Sequence, residues 1–483
     1  MLFNSFGFVI FFAIVVVLYY LLPAKIRWVA LLLSGIFFYM FASPISIWVP
    51  AVIILVTYFG GIGIEKAVTP PKANLVFVLC LIANIGMLVF FKYVNFLTTQ
   101  FFELINFVNL KLLHAATVKT NSLLVNIIAP LGISYITFQA IGYLIEIKRG
   151  NHKAERNAGH FSTYILFFPK LLSGPIERAH HFLPQIKQPV TLDYERITPA
   201  LKIILWGFFK KVVIADRLSI YTNAVFNNYQ FHNGNTLFLA SIFYTIQLYA
   251  DFSGYTDMAV GVAKLLGFDI IQNFDRPFFS KSVTEFWRRW HISLSTWFAD
   301  YFYTPLAIKK RNWGKWSVVY ASMVTFVILG FWHGANWTFI VFGALQGIIL
   351  SIEFFTRKAR KKMRNAIPAF INNGLGILFT FLYINFAEIF FRANSVTEAL
   401  RIIKKASAFN GPVFYEGPSM LIYSFLGIII LFLAEFKMEY YNEKFSLFNN
   451  PSLVMRILTY ALLIMLILLV GVFDGGQFIY FQF

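Results

Sequence analysis

Apolar residues occupy the chain in long blocks, and short charged clusters separate them. A helix needs roughly 20 apolar residues to cross a hydrocarbon core about 30 Å thick. Candidate spans lie near residues 2–24, 28–43, 45–63, 73–91, 123–146, 160–175, 200–220, 236–250, 317–333, 336–354, 367–390, 418–434 and 457–473. The pattern predicts an all-α, polytopic integral membrane helical bundle of about eleven to thirteen segments. Residues 160–310 blur the count, because charges interrupt their apolar runs. Segments of that kind are often short, tilted, re-entrant or interfacial. No tandem repeat, low-complexity linker or soluble extension stands out, so residues 1–483 read as a single membrane domain.

Composition agrees with this pattern. The chain is 58% hydrophobic and only 13% charged, where soluble chains carry about a quarter charged residues. Residues 1–24 hold no charge and no small-residue cleavage site follows them, which predicts a retained span rather than a cleaved signal. The single cysteine, Cys80, excludes intrachain disulfides and argues against a cysteine-based metal site. A net charge of +19 raises the question of nucleic acid. In a chain this apolar, Lys and Arg instead mark cytoplasmic loops, and nothing resembles a soluble basic domain. The clusters Lys25/Arg27, Lys66/Lys72, Lys148/Arg149/Lys153/Arg156, Lys309/Lys310/Arg311/Lys315 and residues 357–364 all fall where an outside N-terminus places cytoplasmic loops. Continuing the count puts the last residues, 474–483, on the outer side. The stretch "RKARKKMR" at 357–364 has six basic residues in eight and reads as an anchor on anionic membrane lipid.

Against this apolar background, a few ionisable groups call for an explanation. Residues 317–352 contain no Asp, Glu, Lys or Arg, yet they include His333 in "LGFWHGANWTF". An imidazole there either hydrogen-bonds a neighbouring helix or is functional. In an apolar site the uncharged ring is favoured, and that form is a base. A second stretch, "EFWRRWHISLSTWFADYFYTPL" at 285–306, gathers Arg288, Arg289, His291, Glu285 and Asp300 among three Trp residues. Read as one helix, it puts Arg288 and His291 on a shared face, bordering an internal polar cavity or lying at the interface. Asp251 and Asp257 in "DFSGYTD" read as buried carboxylates paired with Arg or Lys inside the bundle. The sequence lacks H-E-x-x-H, G-x-S-x-G and a phosphate loop, and the other His residues show no ligand spacing. What remains is a His acting as general base on a hydroxyl, the simplest acyl-transfer chemistry.

Six ordered blocks resemble the membrane-bound O-acyltransferase family, in its bacterial branch that acylates cell-envelope polysaccharides. They are "PLGISYITFQAIGYLIEIKRG" (130–150), "FFPKLLSGPIER" (167–178), "GFFKKVVIADRL" (207–218), "YADFSGYTDMAVGVAKLLGF" (249–268), "NFDRPFFSKSVTEFWRRWHISLSTWFADYFYTPL" (273–306) and "GFWHG" (330–334). The resemblance implies a bundle with a central funnel and tunnel, and residues 130–340 as its catalytic core region. By the same resemblance, His333 matches the family's catalytic His and His291 its second His. The second position is Asn in some members. Trp332, Asn336, Arg288 and Gln139 are candidate substrate-binding residues beside them, and Arg178 is a candidate for the tunnel wall.

The resemblance further implies an O-acetyltransferase of a bacterial inner membrane, with both termini extracytoplasmic. It would bind no cofactor and would use acetyl-CoA as its acyl donor. An SGNH-type acetyltransferase outside the membrane would be its partner, and a polysaccharide the acceptor. The terminal "FIYFQF", residues 478–483, matches an aromatic terminus proposed in such systems to carry the acyl group, which makes Tyr480 a candidate acyl relay. Two rivals remain at this level: D-alanyl transfer to teichoic acid from a carrier protein, and a transporter or flippase. No inverted repeat supports the transporter.

Overall fold

The structure, a computed structural model, describes residues 2–113, 129–441 and 450–473. It is helical, with no strand among the described residues. Chain contacts divide it into two compact units. One comprises Phe11–Thr191 with Gly334–Asn336, and the other comprises Leu2–Ile10, Leu192–His333 and the residues from Trp337 on. The helices begin with α1 (Phe6–Leu21), α2 (Arg27–Ala42), α3 (Trp48–Lys66), α4 (Pro70–Val108), α5 (Ile133–Lys148), α6 (Ala158–Leu166), α7 (Phe168–Leu171) and α8 (Ala179–Ile186). The second unit continues with α9 (Tyr194–Phe209), α10 (Asp216–Phe226), α11 (Gly234–Leu265), α12 (Val283–Arg289), α13 (Ile292–Phe298), α14 (Thr304–Lys309), α15 (Lys315–His333) and α16 (Trp337–Phe355). It ends with α17 (Arg357–Ala366), α18 (Ala369–Arg392), α19 (Val396–Ala406), α20 (Pro418–Tyr440) and α21 (Leu453–Val470).

Among the described residues, eight helices are long and apolar enough to cross a membrane. That number is below the expected count because α1, at 16 residues, is short and because the middle of the chain breaks its apolar runs. The run at 160–175 becomes α6 and α7 on either side of Phe167, with Pro169 at the start of α7. The run at 200–220 becomes α9, a π-helical turn over Lys210–Ala215, and α10. The run at 236–250 is the first half of a longer helix, α11, of 32 residues. The 123–146 run is described only from residue 129 and is helical from Ile133. Of the terminal tail, residues 474–483 lie outside the described residues.

Local signals account for several starts. The tetrapeptide Ser-Val-Thr-Glu opens both α12 and α19. In each, the serine hydroxyl accepts from the glutamate N–H at 3.1 Å, for Ser282 with Glu285 and for Ser395 with Glu398. This satisfies one of the orphan donors of a helix N-terminus. α15 and α16 are joined by a three-residue turn and pack almost backbone to backbone. A Cβ on Gly330 would sit 2.2 Å from the Phe339 carbonyl oxygen, and one on Gly343 would sit 2.2 Å from the Phe326 oxygen. Small residues of this kind let helices approach closely where apolar burial offers no drive between them.

The Gly343→Ala substitution should therefore push α15 and α16 apart. The expected result is a lower thermal midpoint in detergent or nanodiscs, equivalent to about 1–3 kcal/mol of overpacking. An unchanged midpoint would contradict the close crossing.

Candidate active site

His333 is the last residue of α15, at the foot of the tight turn into α16. It is buried, and its Nδ1 lies 2.8 Å from the Leu329 carbonyl oxygen one turn back. A carbonyl oxygen only accepts, so Nδ1 carries a proton, and in the neutral ring the lone pair sits on Nε2. Aromatic rings enclose the imidazole. Trp332 lies 4.9 Å away between centroids, Phe391 of α18 5.2 Å, and Phe342 of α16 6.3 Å.

His291 reaches the same place by a different local route. α12 stops at Arg289, Trp290 is extended, and His291 has φ +44°, in the left-handed region. Only then does α13 begin. The stretch 285–306 is thus not one helix, and the expected shared face of Arg288 and His291 does not form. The left-handed residue is held from both sides by the preceding segment. Asp275 N–H donates to the Arg289 carbonyl at 2.9 Å, and Ile292 N–H donates to the Asn273 carbonyl at 2.9 Å. The Asn273 side-chain oxygen accepts from Ser293 N–H at 3.2 Å. The His291 ring is 1% exposed, packs on Phe252 at 4.7 Å and lies 6.3 Å from Trp332. Both imidazoles therefore pack against Trp332. Burial holds the His291 imidazole well below the ordinary histidine range, and the nearby His333 ring adds to this.

The other expected residues are placed as follows. Trp332 is buried and packs against both imidazoles. Arg288 is exposed, whereas its neighbour Arg289 pairs with Glu285 at 2.7 Å. Asn336 lies in the turn between α15 and α16, its N–H donating to the Gly334 carbonyl at 3.0 Å. Gln139, in the first unit, accepts at 2.6 Å from the fully buried Lys170 amine, which sits over the rings of Tyr164 at 4.1 Å and Phe182 at 4.4 Å. Arg178 is the residue just before α8. Tyr480 lies outside the described residues. Among the described residues no group of three or more His, Cys, Asp or Glu could hold a metal.

Sequence reasoning anticipated that Asp251 and Asp257 would find cations, and the structure names them. Lys210 pairs with Asp257 at 2.7 Å and donates to Ser253 at 2.9 Å. Lys211 pairs with Asp251 at 2.8 Å and with Asp216 at 2.7 Å. Both lysines sit on the π-helical turn after α9, and this wider turn brings consecutive residues to face α11. α9 and α11 are also close enough that a Cβ on Gly207 would lie 2.6 Å from the Gly254 oxygen. Asn273, Asp216 and the two lysines were not singled out from sequence, although their blocks were. The two lysines lie 47 and 40 positions before their partners Asp257 and Asp251, which leaves no local signal.

Two consequences follow for His291. Asn tolerates the left-handed region and valine does not. His291→Asn should keep the thermal midpoint near wild type, while His291→Val should lower it by the equivalent of about 1–2 kcal/mol. The depressed proton affinity also sets a pH dependence. Below pH about 6.5 the unfolded chain takes up a proton that the folded chain refuses, so stability falls as pH falls below that value and is flat above it. The slope from this group is at most about 1.4 kcal/mol per pH unit, and His291→Asn should remove it. Identical acid profiles for wild type and His291→Asn in a melting series would contradict the assignment.

Comparison with known proteins gives the family. A model of the MBOAT, membrane-bound O-acyltransferase family, matches residues 77–393, more than half of the chain and including both His291 and His333. The peptidoglycan O-acetyltransferase of Helicobacter pylori is 35% identical over 408 residues, covering 79% of this chain and 74% of its own length. The probable alginate O-acetylase AlgI of Azotobacter vinelandii is 35% identical over 388 residues, covering 80% and 73%. The teichoic acid D-alanyltransferase of Bacillus subtilis is 31% identical over 270 residues, covering 54% and 68%. With its apolar helices and its paired histidines, the chain belongs to the membrane-bound O-acyltransferase family and is an integral membrane acyltransferase.

Proposed function

We propose that the chain transfers an acetyl group from a cytoplasmic thioester, acetyl-CoA, across the bacterial inner membrane for O-acetylation of a cell-envelope polysaccharide or exopolysaccharide. The observation that carries the reading is the hydrogen bond from His333 Nδ1–H to the Leu329 carbonyl. It fixes the tautomer in which Nε2 can take a proton. The acceptor hydroxyl attacks the thioester carbonyl while Nε2 receives its proton. As the tetrahedral intermediate collapses, the C–S bond breaks and the proton passes to the departing thiolate. His291, buried against Trp332, orients the reacting groups. Trp332 and Asn336 bind substrate beside it.

Tyr480 is proposed as a first acceptor. A phenol ionises near pH 10, so removing its proton at pH 7 costs roughly 4 kcal/mol, which a positioned neutral imidazole offsets. The resulting aryl ester has a better leaving group than an alkyl ester and suits onward transfer by an SGNH-type partner outside the membrane. The basic loops support an arrangement with both termini extracytoplasmic. D-alanyl transfer is the weaker reading, because the D-alanyltransferase of Bacillus subtilis covers 54% of this chain, against 79–80% for the two acetylating relatives.

The test uses purified protein and labelled acetyl-CoA. His333→Ala should lower acetyl transfer by about 10²–10⁴-fold, and Tyr480→Phe should lose label on the protein while His333 remains intact. Wild-type transfer by His333→Ala would overturn the site. Equal labelling of Tyr480→Phe would remove the relay and leave the rest.

A further inference from the structure

The two halves of the His291 turn are tied by more than backbone hydrogen bonds. Glu439, in the last turn of α20, accepts from Arg276 Nε at 2.8 Å through one carboxylate oxygen. The same oxygen accepts from Arg289 at 2.9 Å, and the other accepts from Arg289 at 3.0 Å. Arg289 reaches on to Glu285 at 2.7 Å. Arg276 directly follows Asp275, whose N–H donates to the Arg289 carbonyl. Arg276 is itself left-handed, at φ +46°. Two strained non-glycine residues, Arg276 and His291, thus flank one pair of segments. Persistent strain of this kind requires surroundings that over-determine it.

We infer that Glu439 is a positioning residue for the acyl-transfer site: its carboxylate clamps Arg276 and Arg289 and thereby holds the left-handed turn that aims the His291 ring at Trp332. The inference rests on the reading of His333 and His291 as the transfer site. Glu439 touches neither ring and acts through the backbone on both sides of the turn. A forked guanidinium–carboxylate contact fixes direction as well as distance, which a single point charge does not. One turn earlier on α20, Glu435 meets the Tyr249 hydroxyl, and the Tyr249 ring packs on Phe274 at 5.7 Å and on Trp290 at 6.1 Å. The same helix face thus supports the turn twice, once by charge and once through an aromatic ring. A small displacement of a catalytic group is enough to slow chemistry without altering how substrate binds.

The experiment compares acetyl-CoA-dependent transfer by wild type, Glu439→Gln, Arg289→Lys and the double variant, with thermal midpoints measured on the same preparations. Glu439→Gln should lower kcat by about tenfold while the donor KM stays within about twofold. Arg289→Lys keeps the charge and loses the fork, and should behave alike. It also tests the clamp if Glu439→Gln fails to accumulate. The double variant should lose less than the product of the two single losses, because both weaken the shared Arg289–Glu439 contact. Unchanged kcat, or a donor KM that rises as far as kcat falls, would overturn the positioning role. So would independent, multiplying losses in the double variant. His333→Ala run alongside separates the two readings. Full activity there sinks the site itself, whereas an inactive His333→Ala with unaffected Glu439→Gln sinks only the clamp.

Discussion

The hydrogen bond between His333 Nδ1–H and the Leu329 carbonyl is the contact on which the functional account depends. It decides which nitrogen can accept a proton, and it exists because the helix ends where it does. α15 runs to His333 and turns at once, and Gly330 and Gly343 let α16 return at close range. A bulkier pair would move the turn outward and with it the imidazole. The aromatic residues from α16 and α18 then close around the ring. Helix packing, tautomer and base are therefore one chain of causes.

A second constraint is the cost of charge in an apolar protein. An uncompensated buried charge costs several kcal/mol, and two groups of side chains in the second unit match cation to anion within short reach. Lys210 and Lys211 take three aspartates between them, and Arg276 and Arg289 share Glu439. Such pairs add little net stability by themselves. What they do add is direction. The lysines lock α11 against the π-helical turn, and the arginines lock the segments before and after the bend at Trp290 and His291.

Much of this was legible in the sequence, though unevenly. Apolar runs with clean ends, such as those that became α15, α16 and α18, were placed well because a membrane asks only for length and hydrophobicity. His333 stood out because nothing else near it is charged. The break at 160–175 had a signal in Pro169, yet the apolar flanks outweighed it. The break inside 285–306 had none: no glycine or proline marks Trp290–His291, and the turn is imposed by Asn273 and Asp275 from outside the segment. The same holds for the lysine–aspartate pairing, where the partners of Asp251 and Asp257 arrive from another helix. Long-range contacts override local propensity, and a single sequence does not display them.

The most direct check on the central claim is the tautomer of His333. Solid-state ¹⁵N NMR of histidine-labelled protein in lipid, with the His333 signal assigned by its loss in His333→Gln, reports which ring nitrogen carries the proton. The account predicts a neutral ring protonated at Nδ1 at pH 7. A ring protonated at Nε2 would contradict it, because the nitrogen assigned as the base would already be occupied.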